Sequence, residues 1–278
     1  DLHSFPTRRS SDLADIAHGA ALRRPCRVHA GGYADFADCG LVILAAGTNQ
    51  RPGETREALL GRNRAILQSI LEQLTAVNRD AVLLVVSNPV DVLTGYTLEL
   101  SGFPAERVIG SGTVLDTARI KCLLGEKLGV DSRNVHAFML GEHGDSEVAV
   151  WSSANISGAD LDDFCLAAGI DDPESMLASL AREVTHAAYD IIERKGATCY
   201  GIAMAVRRIA EAIIRDEHAV LPVSTLARGA YGIEGVCLGL PAVVGRSGVS
   251  QVLDLPLSRD ETERLLASAH KLKTLMEG

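Results

Sequence analysis

Apolar positions in this chain alternate between short unbroken runs and helical stripes. Residues 41–46 (LVILAA) run apolar up to Gly47, as a strand buried on both faces of a parallel sheet would read. Within 62–77, Ile66, Leu67, Ile70, Leu71 and Leu74 share one helical face. A second buried strand is predicted over 81–86, halted by Asn88-Pro89, and a short one over 28–30. A helix over 94–101, a strand over 107–110 and a helix over 116–128 continue the alternation. Strands alternating with helices predict right-handed βαβ units on a parallel sheet.

After about Asn134 the texture changes. The pattern predicts a strand over 135–140, and helices over 176–195 and 198–215 separated at Gly196. Antiparallel strands are expected within 235–252, where apolar residues alternate with Gly and Pro, and an amphipathic helix over 261–276. The expected class is α/β: an incomplete Rossmann-type parallel sheet in a partial dinucleotide-binding domain over 14–112, then an α+β substrate/catalytic domain over 113–278. No G-x-G-x-x-G follows a first strand, and no acidic residue follows it to hold a ribose. In the doubly wound strand order that first strand is central, so the sheet is expected to have a gap or an unpaired inner edge.

Residues 1–13 (DLHSFPTRRSSDL) show no helical or strand periodicity and no capping residue leading into Ala14. The stretch resembles one reading frame of a sequencing adapter, and is expected to be an artefact rather than native sequence.

Composition narrows the partners. A net charge of -9 argues against nucleic acid and anionic membrane. No apolar run approaches the roughly 18 residues of a spanning helix. The six cysteines (26, 39, 122, 165, 199 and 237) are scattered, without a C-x-x-C pair. That pattern predicts reduced thiols in a cytoplasmic protein, and no metal site.

Four polar segments border the apolar runs. Residues 47–56 (GTNQRPGETR) follow a buried strand, where open α/β sheets bind ligands. Their Gly and Pro suit a mobile lid able to carry Arg56 over a substrate, or a solvated loop. In SNPVD (87–91), Asn88 can bond a ligand or cap the next helix. Asp116 and Arg119 in LDTAR (115–119) share a helix face, as a surface ion pair or as part of a site. Residues 141–145 (GEHGD) place His143 between glycines after a strand, exposed or catalytic.

Together and in order, GTNQRPGETR, SNPVD, GSGTVLDTAR, GEHGDSE and KGATCYGIA resemble the L-lactate dehydrogenase family, within the lactate/malate dehydrogenase superfamily, across Ala14 to Gly278. The resemblance implies an NAD-dependent enzyme acting on a 2-keto/2-hydroxy acid. It makes His143 the proton donor and base, suited by an imidazole pKa near working pH. Asp116 would orient His143, and Arg119 would grip the substrate carboxylate in a two-point fork. Arg56 would polarise the carbonyl, and Thr198 would contact the substrate. Asn88 would reach both the substrate carbonyl and the nicotinamide ribose. Tyr33, Gly47, Thr48, Ser69, Val86 and Ser111 would line the cofactor site, with Ile202 against the nicotinamide ring.

Gln50 bears on the choice of substrate. Malate dehydrogenases that resemble this family commonly carry Arg there, to neutralise a second carboxylate. A neutral Gln50 would bury oxaloacetate's extra charge without a partner, so pyruvate and lactate are expected, with malate as the alternative. Lys121 and His136 match positions where allosteric bacterial members bind fructose 1,6-bisphosphate, although Lys121 lacks the fork of an Arg. The resemblance also implies a homotetramer. A non-catalytic reading predicts erosion of the reactive positions, yet His143, Asp116, Arg119 and Arg56 are all present. Without a glycine loop and ribose acid, the 278 residues alone are expected to bind NADH poorly and to be inactive.

Overall fold

The computed structural model describes residues 6–20, 22, 26–48 and 56–277. Helix α1 (Pro6–Ala20) opens it. The sequence pattern predicts no helix here. The apolar stripe of Leu13, Ile16, Ala17 and Ala20 begins only at Leu13, so dividing the chain after residue 13 hides its period.

Three parallel strands come next: β1 (Leu41–Leu44), then α2 (Arg56–Val77), β2 (Val82–Val85), α3 (Val90–Ser101) and β3 (Val108–Gly110). Leu60, Leu67, Leu71 and Leu74 of α2 recur at helical spacing and are buried against β1 and β2. Asn78 ends α2. Its amide donates to the carbonyls of Phe36, Ala37 and Cys39, and its Oδ1 accepts from Asp80 and Ala81, which ties the approach of β1 to that of β2. The expected strand over 28–30 does not form, because no described strand lies beside it to accept its main-chain bonds.

The second half adds α4 (Val114–Leu128), β4 (Val135–Leu140), β5 (Val148–Ile156), β6 (Ala159–Asp160), α5 (Leu161–Ala167), α6 (Pro173–Lys195), α7 (Tyr200–Ile214), β7 (Ala219–Arg228), β8 (Glu234–Gly245), β9 (Gly248–Val252) and α8 (Arg259–Glu277). Strands β4–β6 form a small antiparallel sheet. The larger sheet runs β1-β2-β3-β7-β8-β9, parallel through β3 and antiparallel beyond it, so the second half extends the sheet of the first. Among the described residues β1 pairs only with β2, so it stands at an edge of the sheet. The expectation that this run is buried on both faces fails at Ile43, which is 44 % exposed, while Val42 and Leu44 are covered. On Ile43's face Leu41 packs with α7, but Ile43 itself is left uncovered, so the two faces of β1 differ.

Candidate active site

The site gathers at the carboxyl ends of β1 and β2 and on the loop after β4. At the end of β1, Asn63 of α2 holds Thr48: its Oδ1 accepts from Thr48 N at 2.9 Å and from Thr48 Oγ1 at 3.3 Å. Ser87 Oγ donates to Ala46 O at 2.8 Å, fastening the end of β2 to that of β1. Asn88 comes directly after it.

Helix α4 is stitched to β4 by two threonines. Thr113 Oγ1 donates to Met139 O at 2.5 Å, and Met139 N donates to Thr117 Oγ1 at 2.9 Å. That register brings Asp116 under the loop that begins two residues after Met139. The loop itself needs glycine at Gly141, whose φ is 93° and whose added Cβ would lie 2.8 Å from Ser268 Oγ. Gly141 also exchanges two main-chain bonds with Gly239 of β8.

His143 sits at the centre. Its backbone N–H donates to Asp91 Oδ2 at 2.7 Å, and its Nδ1 lies 2.6 Å from Asp116 Oδ2. Asp116 is 2 % exposed, and its other oxygen, Oδ1, accepts from Arg119 Nη1 at 2.7 Å. The spacing that reads as a surface ion pair is therefore a buried carboxylate shared between an imidazole and a guanidinium. With Nδ1 committed to Asp116, Nε2 is the ring nitrogen left for a ligand.

Electrostatics follow burial and neighbours. Burial disfavours the His143 imidazolium, but the Asp116 hydrogen bond and charge outweigh it and raise the pKa to about 9. Burial pushes Asp91 up to about 6, against the bond from His143 N. Burial and the charge of Asp116 push Glu147 up to about 8.

A cavity of about 530 Å3 lies over these groups. Its lining brings together five of the residues singled out from sequence: Thr48, Asn88, Asp116, Arg119 and His143. It also includes Asp91, Glu142, Glu147, Thr185 and Lys271, to which sequence reasoning gave no role. Asp91 and Glu147 lie inside the quoted motifs, and the buried ends of SNPVD and GEHGDSE were the available signal. The Lys271 contact, 129 residues from Glu142, has no local signal.

Other predicted residues stand outside this lining. Val86 and Ser111 sit at the ends of β2 and β3, where Ser111 N donates to Val85 O. Thr198 is half-buried between α6 and α7, and Ile202 packs from α7 against the core beside β2 and β3. Tyr33 stacks near Phe36 ahead of β1, and Ser69 lies on the exposed face of α2. Lys121 on α4 is half-buried and burial lowers its pKa, while His136 on β4 is exposed. Gln50 lies outside the described residues, as does the side chain of Arg56, whose backbone opens α2.

The arrangement can hold a proton on one imidazole nitrogen beside a guanidinium, in a cavity at the carboxyl ends of parallel strands. Comparison with known proteins places the whole chain. Residues 3–110 match the lactate/malate dehydrogenase NAD binding domain, and 113–278 match the alpha/beta C-terminal domain of the same family. An L-lactate dehydrogenase of Clostridium perfringens is 48 % identical over 263 residues, which is 95 % of this chain and 83 % of that one. One from Streptococcus gordonii is 50 % identical over 266 residues, covering 96 % and 81 %. Among solved structures, a lactate dehydrogenase from a Medee basin deep-sea metagenome library superposes with a TM-score of 0.93 at 42 % identity, over 98 % of this chain and 88 % of that one. The ligand-bound minor L-lactate dehydrogenase of Enterococcus mundtii gives 0.91 at 41 %, over 96 % and 85 %. With both family matches running in order and nearly the whole chain aligned, this chain belongs to the lactate/malate dehydrogenase family.

Proposed function

We propose that this chain is an NAD-dependent L-lactate dehydrogenase, interconverting pyruvate and L-lactate. The observation that carries the reading is Asp116 joined at once to His143 and Arg119 on the wall of one cavity. Thr48 and Asn88 line that same cavity at the strand ends, and both fit the nicotinamide end of the cofactor. Gly47, Val86, Ser111 and Ile202 extend that side, with Tyr33 and Ser69 assigned to it by resemblance alone. Held there, the cofactor would supply a hydride as NADH or accept one as NAD+.

The chain's own residues do the rest. His143, protonated below about pH 9, donates from Nε2 to the pyruvate carbonyl oxygen. Asp116 fixes the imidazole by its Nδ1 and stabilises the cation. In the reverse direction neutral His143 takes the hydroxyl proton of lactate. Arg119 keeps donors beyond the one committed to Asp116 and pairs with the substrate carboxylate. Arg56 brings charge to the developing oxyanion, Thr198 contacts the substrate, and neutral Gln50 meets its methyl end.

The test, like every rate measurement below, is made on this sequence completed with a glycine-loop and ribose-acid segment from a relative: NADH oxidation with pyruvate against oxaloacetate. kcat/KM should favour pyruvate, and Gln50→Arg should reverse the preference; a wild type that prefers oxaloacetate overturns the assignment.

Two further readings concern assembly and control. A homotetramer is supported by exposed apolar side chains on α6 and α7, among them Ile192, Tyr200, Met204 and Ile214. Light scattering that returns a monomer would exclude it. Lys121 and His136, on packed neighbours α4 and β4, are assigned to fructose 1,6-bisphosphate; a pyruvate KM indifferent to that ligand would remove the assignment. Cytoplasmic location accords with six free cysteines, and no described helix is long and apolar enough to cross a membrane.

A further inference from the structure

Glu147 is a buried carboxyl that the proton transfer above does not use. It directly precedes β5 and is 6 % exposed. It lines the active-site cavity and also a second cavity of about 730 Å3 beside Trp151, Leu177 and Arg182, so it stands in the wall between the two. One carboxylate oxygen of Glu147, one of Asp116 and a ring nitrogen of His143 all lie within 4.8 Å of one another.

Its partner is suited to both protonation states. Thr185 Oγ1 of α6 lies 2.9 Å from Glu147 Oε1 and 3.2 Å from the carbonyl of Ala181. An ionised Glu147 accepts the Thr185 proton. A neutral Glu147 can donate its own to Thr185 Oγ1, whose proton then turns to Ala181. Charged groups line both cavities it separates: Asp91, Asp116, Arg119, Glu142, His143, Asp145 and Lys271 on the active-site side, and Asp162, Glu174, Arg182, His186, Asp260 and Arg264 on the other. Two carboxylates this close, both out of water, do not readily ionise together.

We propose that Glu147 is a positioning residue that tunes the proton affinity of His143, its ionised form helping to hold the proton on the imidazole and its neutral form leaving that hold to Asp116 and Asp91. The coupling runs both ways. When His143 gives its proton to the carbonyl, Glu147 loses a neighbouring cation and itself binds a proton more tightly. Its significance for catalysis rests on His143 as proton donor, but the coupling is a property of the folded chain.

The test is a ring-15N NMR titration of the 278-residue chain from pH 6 to 10, with the His143 signal assigned by its loss in His143→Gln. Wild type should show His143 titrating in two steps, a lower one near pH 8 and an upper one near pH 9. Glu147→Gln should remove the lower step and bring the remaining midpoint down by about half a pH unit or more. Thr185→Val, which removes the hydroxyl that favours the ionised acid, should move the lower step upward. A single step shared by wild type and Glu147→Gln overturns the proposal, and should Glu147→Gln fail to fold, an unmoved Thr185→Val profile does the same. Were Glu147 only a packing residue, its substitution would lower Tm and leave the His143 titration in place. NADH-dependent activity surviving in His143→Gln would sink the proton-donor reading and leave the titration result standing.

Discussion

Asp116 Oδ2 lies 2.6 Å from Nδ1 of His143, and this contact decides both the tautomer and the charge of the imidazole. Burial alone would drive His143 to its neutral form, so the reductive direction depends on that carboxylate. Asp116→Asn, which keeps the shape and removes the charge, should lower kcat for pyruvate reduction by about 10²-fold or more. The pH at which activity halves should fall from near 9 to the ordinary imidazole range or below. Rate profiles across pH would show it, and an unshifted profile would contradict the pairing.

Stability should fall as the medium turns alkaline. His143 has its pKa raised from 6.5 to about 9, so its contribution is full below 6.5 and is lost as pH rises through 9. Glu147 is raised from 4.5 to about 8, so its contribution is likewise present at low pH and lost as pH rises through 8. Urea denaturation should therefore show a midpoint that declines steadily between pH 6 and 9. A midpoint that climbs over that range would reverse the assignment.

The loop that carries His143 is clamped from α8. Lys271 Nζ donates to Glu142 Oε2 at 2.6 Å, Ser146 Oγ donates to the same oxygen, and Glu142 N donates to Ser268 Oγ at 2.9 Å. Lys271→Met should remove this ammonium from the buried Glu142. Because Lys271 is itself over a third exposed, the expected loss is about 1–3 kcal/mol in chemical denaturation, with a reduced kcat. A variant as stable and active as the wild type would show the clamp to be idle.

At Gly141 the backbone and the space agree. Gly141→Ala would put a side chain on a residue with φ 93° and press its Cβ against Ser268, costing about 1–3 kcal/mol. The rate should suffer as well, since the same shift displaces His143 two residues on. Thermal melts and kcat measured on one preparation would separate the two effects.

The features legible in the sequence are the local ones. Asp116 with Arg119, and His143 between glycines, stand in short runs whose spacing survives any packing, and α2 declares its buried face through Leu67, Leu71 and Leu74. Strand β7 escapes the pattern because it is covered on both sides and so lacks alternation, and Pro222 interrupts its apolar run. Glu147 stands within a quoted motif, but its role depends on Thr185 across the fold, a neighbour that no local pattern names. Lys271 and Ser268 are silent for the same reason.

Because the clamp on the catalytic loop is drawn from α8, the loop cannot be held when it is made. Ser268 and Lys271 come 126 and 129 residues after their partner. At roughly 5–20 residues per second of synthesis, Glu142 waits on the order of 6–25 s for its hydroxyl and its cation. During that interval a buried-to-be carboxylate remains hydrated beside a nascent sheet. The finished loop is thus a late event in the life of each molecule, and a growing chain stalled before α8 emerges would hold His143 by Asp91 and Asp116 but leave Glu142 unclamped.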